Sequence, residues 1–165
     1  MPTDYARYVV PQFEAALSQL TLCIRACPAA HWDAAIGKYP FWHVAYHALM
    51  FVDCYLAPSN DAFVPRPQYL PAGRAELEEE FPSRHFSQAE LLAYASQLRT
   101  EVAPALNRET SATLEGPSGF GHLPFNRAEH HLHNIRHIQH HTGQLSAFLR
   151  RHDIATPWVK SGWRE

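Results

Sequence analysis

Half of the chain's twelve histidines lie within twelve residues, in the run HHLHNIRHIQHHTGQL that begins at His130. Two of them, His137 and His141, are four residues apart in a segment with helical periodicity. On an α-helix, residues i and i+4 lie one above the other, so both imidazoles can bind one metal ion while the helix stays intact. Neutral imidazole is the commonest metal ligand among side chains, and a helical His-x-x-x-His pair is half of a zinc-type site. The remaining ligands must come from another part of the chain.

Helical geometry selects among these histidines. At about 100° per residue, His141 lies within the apolar face of its helix and His137 on the edge of that face. His133 and His140 turn toward solvent, and His131 faces the core, where we expect it to hydrogen bond. The helix therefore offers two first candidates, with His133 and His140 as alternative ligands.

A further inward histidine lies in the earlier segment FWHVAYHALMFVDCYL. The same construction points His47 into the interior, and His43, one turn before it, is the alternative. Facing helices of a bundle commonly build metal sites from inward side chains. A single histidine of this kind is usually a partly buried, hydrogen-bonded side chain, but three on two helices would bind a metal and leave a position for water or substrate. The sequence thus predicts an open metal site formed by His47, His137 and His141.

Four long segments carry these residues. Their helical periodicity covers approximately residues 5–27, 40–57, 87–107 and 125–152. Ser87 and Glu90 form a capping-box pattern, Asn126 and Glu129 form a cap pair, and Pro104 is expected to fray the last turn of the third segment. With no alternating strand pattern, they predict one all-α domain over residues 1–165, an up-down four-helix bundle.

The connecting segments are rich in proline or glycine. Residues 58–73 contain four prolines and predict a long surface excursion that could cover a site, and a short acidic helix is expected over residues 75–81. Residues 108–124 predict a loop. The tail, from about residue 153, carries Trp158 and Trp163, which we expect to pack on the bundle or across a dimer.

Composition excludes several classes of function. A formal net charge of −2 and a pI near 6.6 provide no basic field for nucleic acid, and no segment reaches the roughly 18 apolar residues that span a bilayer. The three cysteines, Cys23, Cys27 and Cys54, do not make a disulfide framework and are expected to pack as small apolar side chains. We expect a soluble, cytoplasmic protein that binds neither nucleic acid nor membrane.

The order and separation of HALMFVDCYL and RHIQHHTGQL resemble the DinB-like superfamily, the DinB/YfiT-type metalloproteins, over roughly residues 5–152. The resemblance implies a four-helix bundle that binds a divalent metal, zinc or nickel, through His47, His137 and His141. It also matches Gln144 to the family's Gly-Gln-hydrophobic ending, where this side chain could orient a ligand or bound water. Capping or packing is an equal alternative for Gln144. The surplus of histidines and the proline-rich excursion depart from the family's pattern.

Family members with known activity are often thiol-dependent transferases or isomerases, and dimers are frequent. The leading hypothesis is therefore a metal-dependent S-transferase, a homodimer that acts with a low-molecular-weight thiol and an electrophilic substrate. The alternatives are a metal-dependent hydrolase, which lacks an evident acidic base because Asp53 lies away from His47 on its helix, and a purely structural interaction module. A third alternative is a non-catalytic metal-binding protein whose surplus surface histidines, His130, His133 and His140, buffer further ions.

Overall fold

The computed structural model describes residues 4–69 and 84–164, and these residues are mostly helical. The predicted acidic helix over residues 75–81 and the last part of the proline-rich excursion lie outside this range. The elements are α1 (Asp4–Ala26), β1 (Ala35–Ile36), β2 (Tyr39–Pro40), α2 (Phe41–Leu56), α3 (Gln88–Asn107), α4 (Ser111–Glu115) and α5 (Arg127–Arg151). Across the described residues, every helix is too short or too polar to cross a membrane.

The ends of the long helices are set by local sequence signals. The side chain of Ser87 accepts a hydrogen bond from the backbone N–H of Glu90, whose carboxylate accepts the N–H of Ser87 in return, so the predicted capping box is confirmed. At the start of α5, the side chain of Asn126 accepts the N–H of Glu129 at 2.9 Å. These caps explain why α3 and α5 begin within about two residues of the predicted positions.

The four long helices pack around one core. α1 and α2 each pack against both α3 and α5, while α1 and α2 touch each other much less. Fully buried apolar side chains come from every long helix, among them Phe13, Leu49, Leu98 and Leu145. This arrangement sets α2 directly against α5, the two helices that carry the predicted metal ligands.

One short helix and one short hairpin were not expected from the sequence. The region predicted as a loop contains α4, because Thr110 and Thr113 cap each other reciprocally at its start. β1 and β2 form a two-residue antiparallel hairpin that leads into α2. α3 continues to Asn107, the end predicted from the sequence, with Pro104 inside its last turn.

The carboxyl-terminal tail lies along α1. The N–H of Val159 donates to Oε1 of Gln19 at 2.8 Å, and Trp163 packs beside the core under the guanidinium of Arg99. Trp158 instead remains 69% exposed, so the expectation that both tryptophans are covered fails for this one within the chain. Neighbouring side chains of an extended segment point in opposite directions, and Val159 occupies the inward position.

The described part of the proline-rich excursion is anchored on the α3 side of α2. Arg66 donates two hydrogen bonds to Asp53, at 2.7 and 2.9 Å, and one to Glu101 at 2.6 Å. The hydroxyl of Tyr94 donates a further bond to Asp53 at 2.8 Å. This network fixes the excursion to the face of α2 that looks toward α3.

Candidate metal centre

α2 holds His47 in the interior because almost the whole helix is buried. Of its sixteen residues only Phe51 is partly exposed, as expected for a helix whose apolar residues cover most of its circumference. His47 is 7% exposed, and its ring lies against α5, with ring centroids 5.1 Å from His137 and 4.6 Å from His141. α2 thus places the imidazole of His47 against α5.

The three predicted ligands meet at their Nε2 atoms. Nε2 of His137 lies 3.2 Å from Nε2 of His47 and 3.2 Å from Nε2 of His141. One ligand nitrogen from each of the three residues lies within 4.8 Å of the other two. These histidines are close enough to hold a metal ion, although 90 residues separate His47 from His137 in the sequence.

The distances fit the chemistry of zinc-like ions. Zinc-to-nitrogen bonds of about 2.0–2.1 Å at tetrahedral angles would set ligand nitrogens roughly 3.3 Å apart, close to the two short contacts. Three ligands from the protein would leave a position for a small molecule. The donor set therefore matches an open divalent-metal site.

Gln144 controls the tautomer of His141. Nδ1 of His141 donates to Oε1 of Gln144 at 2.9 Å. The neutral ring has one N–H, so this bond leaves a lone pair on Nε2, the atom that faces His137. Without a cation, both short contacts could be hydrogen bonds only if a single N–H, on Nε2 of His137, donated to both neighbouring rings. A cation at the centre would instead accept a lone pair from each of the three nitrogens.

Burial keeps these rings in the ligand-competent neutral form. Desolvation, followed by the neighbouring His141 and His47, lowers the pKa of His137 to about 2. Desolvation also lowers the pKa of His141 to about 4, against the opposing effect of the hydrogen bond to Gln144. Neutral imidazole is the form that binds metal, so no proton has to leave these two rings near neutral pH.

Comparisons with known protein families, with curated proteins and with solved structures found no match.

Aromatic rings surround the cluster on the α2 side. The ring of Phe51 lies 4.7 Å from that of His47 and 5.2 Å from that of His137, and Tyr55 lies edge-on to His137 at 6.0 Å. Phe51 is one turn after His47, and Tyr55 is one turn after Phe51. Neither residue was selected from the sequence, although Phe51 at i+4 and Tyr55 at i+8 from His47 have the spacing of one helix face.

One histidine of the cluster, His137, reaches the surface of α5. His137 is half-buried, and it lines a depression of about 430 Å³ together with His133, Arg136, Gln139 and His140. A small molecule could approach His137 from this depression. Arg136 was not predicted from the sequence, because only histidines and Gln144 were considered on this helix.

The alternative ligands lie outside the three-histidine cluster. His43 is fully buried against the rings of Trp42 and Tyr39. His140 is exposed beside His141, with ring centroids 4.9 Å apart, and half-buried His133 lies near Tyr55 and Phe125. The described residues contain one group of three or more possible ligands, and none of these alternatives belongs to it.

The two remaining histidines of the run serve the core. Nε2 of His130 lies 2.9 Å from the carbonyl oxygen of Tyr55, and Nε2 of His131 lies 2.9 Å from Oε1 of Glu109. Both are 0% exposed. The hydrogen-bonding role expected of His131 is confirmed, whereas His130 is not on the surface and cannot buffer metal there.

The cysteines and Asp53 lie apart from the three-histidine cluster. Cys23, Cys27 and Cys54 are buried, and desolvation raises the pKa values of Cys23 and Cys27 to about 12. Asp53 is bonded to Arg66 on the α3 side of α2, whereas His47 faces α5. The described part of the chain thus supplies neither thiolate nor carboxylate to this cluster.

Proposed function

We propose that this chain is a divalent-metal-dependent S-transferase of the DinB-like type, built as a four-helix bundle from α1, α2, α3 and α5. The observation that carries the proposal is the convergence of three imidazole nitrogens from His47, His137 and His141 beside a surface depression. The short motifs that resemble the DinB-like superfamily support the same assignment. Zinc or nickel is the expected ion.

In this proposal each residue of the site has a separate role. His47, His137 and His141 hold the ion, and Gln144 keeps the lone pair of His141 directed at it. The bound ion supplies one property, the stabilisation of a small thiol as its nucleophilic thiolate near neutral pH. Phe51 and Tyr55 exclude water from the inner side of the site, and the depression around His137 admits the thiol and its electrophilic partner.

A thiol is favoured over water as the reacting ligand by the composition of the cluster. In many metal-dependent hydrolases a carboxylate assists the metal by taking a proton from the attacking water. The cluster contains three histidines and no carboxylate among the described residues, and the pKa values of His137 and His141 are already lowered. A low-molecular-weight thiol loses its proton far more readily than water and can react without such a base.

The test combines metal loading with conjugation assays. Zinc- and nickel-loaded protein would be incubated with a panel of small thiols and a chromogenic electrophile such as a chlorodinitrobenzene. We expect metal-dependent conjugation in the wild type, its loss in His137→Ala, and its retention in His152→Ala, a matched change of an exposed histidine at the end of α5. Full activity in His137→Ala, or hydrolysis without thiol transfer, would refute the proposal.

A homodimer is part of the proposal through the family resemblance. Two large aromatic side chains are exposed, Trp158 at 69% and Tyr8 at 65%. Side chains of this kind are often covered by contacts between subunits. Sedimentation equilibrium of the wild type measures the subunit number directly. A monomer at all concentrations would remove the dimer from the proposal and leave the metal site in place.

A further inference from the structure

The depression beside His137 has one cation and no anion. Arg136 is exposed, lines the depression and forms no ion pair with any residue that the structure describes. From His130 to Arg151 the helix contains no Asp or Glu. A negatively charged group that entered the depression would therefore meet Arg136 without competition from a carboxylate of the same helix.

Hydrogen-bond donors surround Arg136 at helical spacing. His133 is three residues before it, Gln139 three after and His140 four after, so all three lie within a turn, about 5–6 Å between Cβ atoms. All four side chains line the same depression. Desolvation lowers the pKa of His133, and the charge of Arg136 lowers it further, which places that positive charge within electrostatic reach of its neighbours.

Arg136 and His137 line the same depression, and this limits the ligand. Arg136 directly precedes His137, so the two side chains leave the helix at nearly the same height. A small molecule that occupied the depression with its sulfur at His137 would have the guanidinium of Arg136 as the neighbouring cation. Guanidinium pairs with carboxylate through parallel N–H donors, which a neutral group cannot use as strongly.

We propose that Arg136, together with His140 and Gln139, forms an anion subsite that selects thiols carrying a carboxylate close to the sulfur. This inference rests on the proposed thiol-binding function of the three-histidine cluster. It names the substrate class, which the cluster alone leaves open. It also gives Arg136 a binding role, while the cluster holds the sulfur.

The test measures binding to cobalt-loaded protein, because thiolate bound to cobalt absorbs light and reports the interaction without any reaction. The probes are 3-mercaptopropionate and 3-mercaptopropionamide, which have the same shape and differ in charge. Arg136→Ala is compared with Arg136→Lys, which keeps the charge, and with Arg151→Ala, which removes an exposed arginine at the far end of α5. Cobalt content is measured for each variant.

We expect Arg136→Ala to weaken 3-mercaptopropionate binding by roughly 3- to 10-fold and to change amide binding by less than about 2-fold. Arg136→Lys, which keeps the charge but not the paired donors, should recover part of the loss, and Arg151→Ala should bind both probes as the wild type does. Equal effects on both probes, or no effect, would overturn the subsite and leave the proposed function intact. Wild-type protein that binds no cobalt, or binds cobalt and neither probe, would overturn both.

Discussion

The Nδ1–H group of His141 donates a hydrogen bond to Oε1 of Gln144 across 2.9 Å, one turn along the same helix. This bond selects the tautomer in which Nε2 of His141 carries its lone pair toward His137 and His47. Gln144, which follows the His-x-x-x-His pair, is therefore part of the same site. Partners of this kind tune both the orientation and the basicity of a metal-binding imidazole.

Gln144→Ala should weaken zinc binding by roughly 10-fold, because the variant frees the ring of His141 and its tautomer. Competition with a chromophoric chelator measures the affinity. Gln97→Ala, which removes an exposed glutamine from α3, is the matched control and should bind zinc as tightly as the wild type. Equal affinities for Gln144→Ala and the control would show that Gln144 has no role in the site.

Gly119→Ala should lower the free energy of unfolding by more than about 1 kcal/mol. Gly119 has a φ of +85°, and a Cβ atom there would lie 2.2 Å from the carbonyl oxygen of Pro58. This contact joins the chain after α2 to the chain before α5, and the carbonyl of Gly119 also accepts the N–H of Asn60 at 3.0 Å. The substitution therefore strains the connection between the two ligand-bearing helices.

Gly121→Ala provides the comparison for this loop. A Cβ at Gly121 meets no atom within 4 Å, and its φ is not positive. Urea denaturation should give a change within about 0.5 kcal/mol for Gly121→Ala. Equal stability of the two variants would contradict the assigned contact with Pro58.

Arg66→Ala should destabilise the protein by about 1–3 kcal/mol, because it leaves the carboxylate of Asp53 buried with only Tyr94 as a donor among its described partners. Zinc affinity should not change, since Asp53 faces α3 and the three-histidine cluster faces α5. Chemical denaturation and a double-mutant cycle with Asp53→Ala measure the coupling. Additive losses would mean that the two residues do not stabilise each other.

In metal-free protein, the free energy of unfolding should fall as the pH decreases from 7 toward 5.5. Desolvation lowers the pKa values of buried His130 and His131 from 6.5 to about 4. Between these values the two histidines are protonated in the unfolded chain and neutral in the folded chain. The stabilisation is complete above pH 6.5 and is lost between pH 6.5 and about 4. Each histidine contributes about 1 kcal/mol over the measured interval.

His130→Phe tests this assignment, because phenylalanine preserves the stacking on Phe120 and cannot be protonated. The variant should show a shallower dependence of unfolding free energy on pH than the wild type. His152→Ala, which changes an exposed histidine, should leave the slope unchanged. An unaltered slope in His130→Phe would contradict the role given to burial.

The long helices were predictable because their signals are local. Apolar spacing marks the segments, and Ser87 and Asn126 mark two of their starts, so sequence alone places these ends within about two residues. α4 was not predicted because a helix of five residues in a Gly-, Ser- and Thr-rich stretch is too short to show the helical period. It exists through the mutual capping of Thr110 and Thr113.

The candidate site was predictable in part for the same reason. Spacing within one helix selects His137 and His141, and the inward face of another suggests His47, but the choice between His43 and His47 depends on how α2 is rotated and shifted against α5. Those quantities come from packing of the whole core and have no local signature. The depression that includes Arg136 likewise depends on which outer residues of α5 adjoin the cluster.

The most direct test of the account is the metal content of three proteins after equilibration with zinc and removal of free ions. We expect one tightly bound zinc per chain in the wild type, none in His137→Ala, and one in His140→Ala, which removes the exposed neighbour of His141. Circular dichroism before analysis establishes that each variant is folded. Wild-type protein without tightly bound zinc, or His137→Ala with a full complement, would contradict the metal centre at His47, His137 and His141.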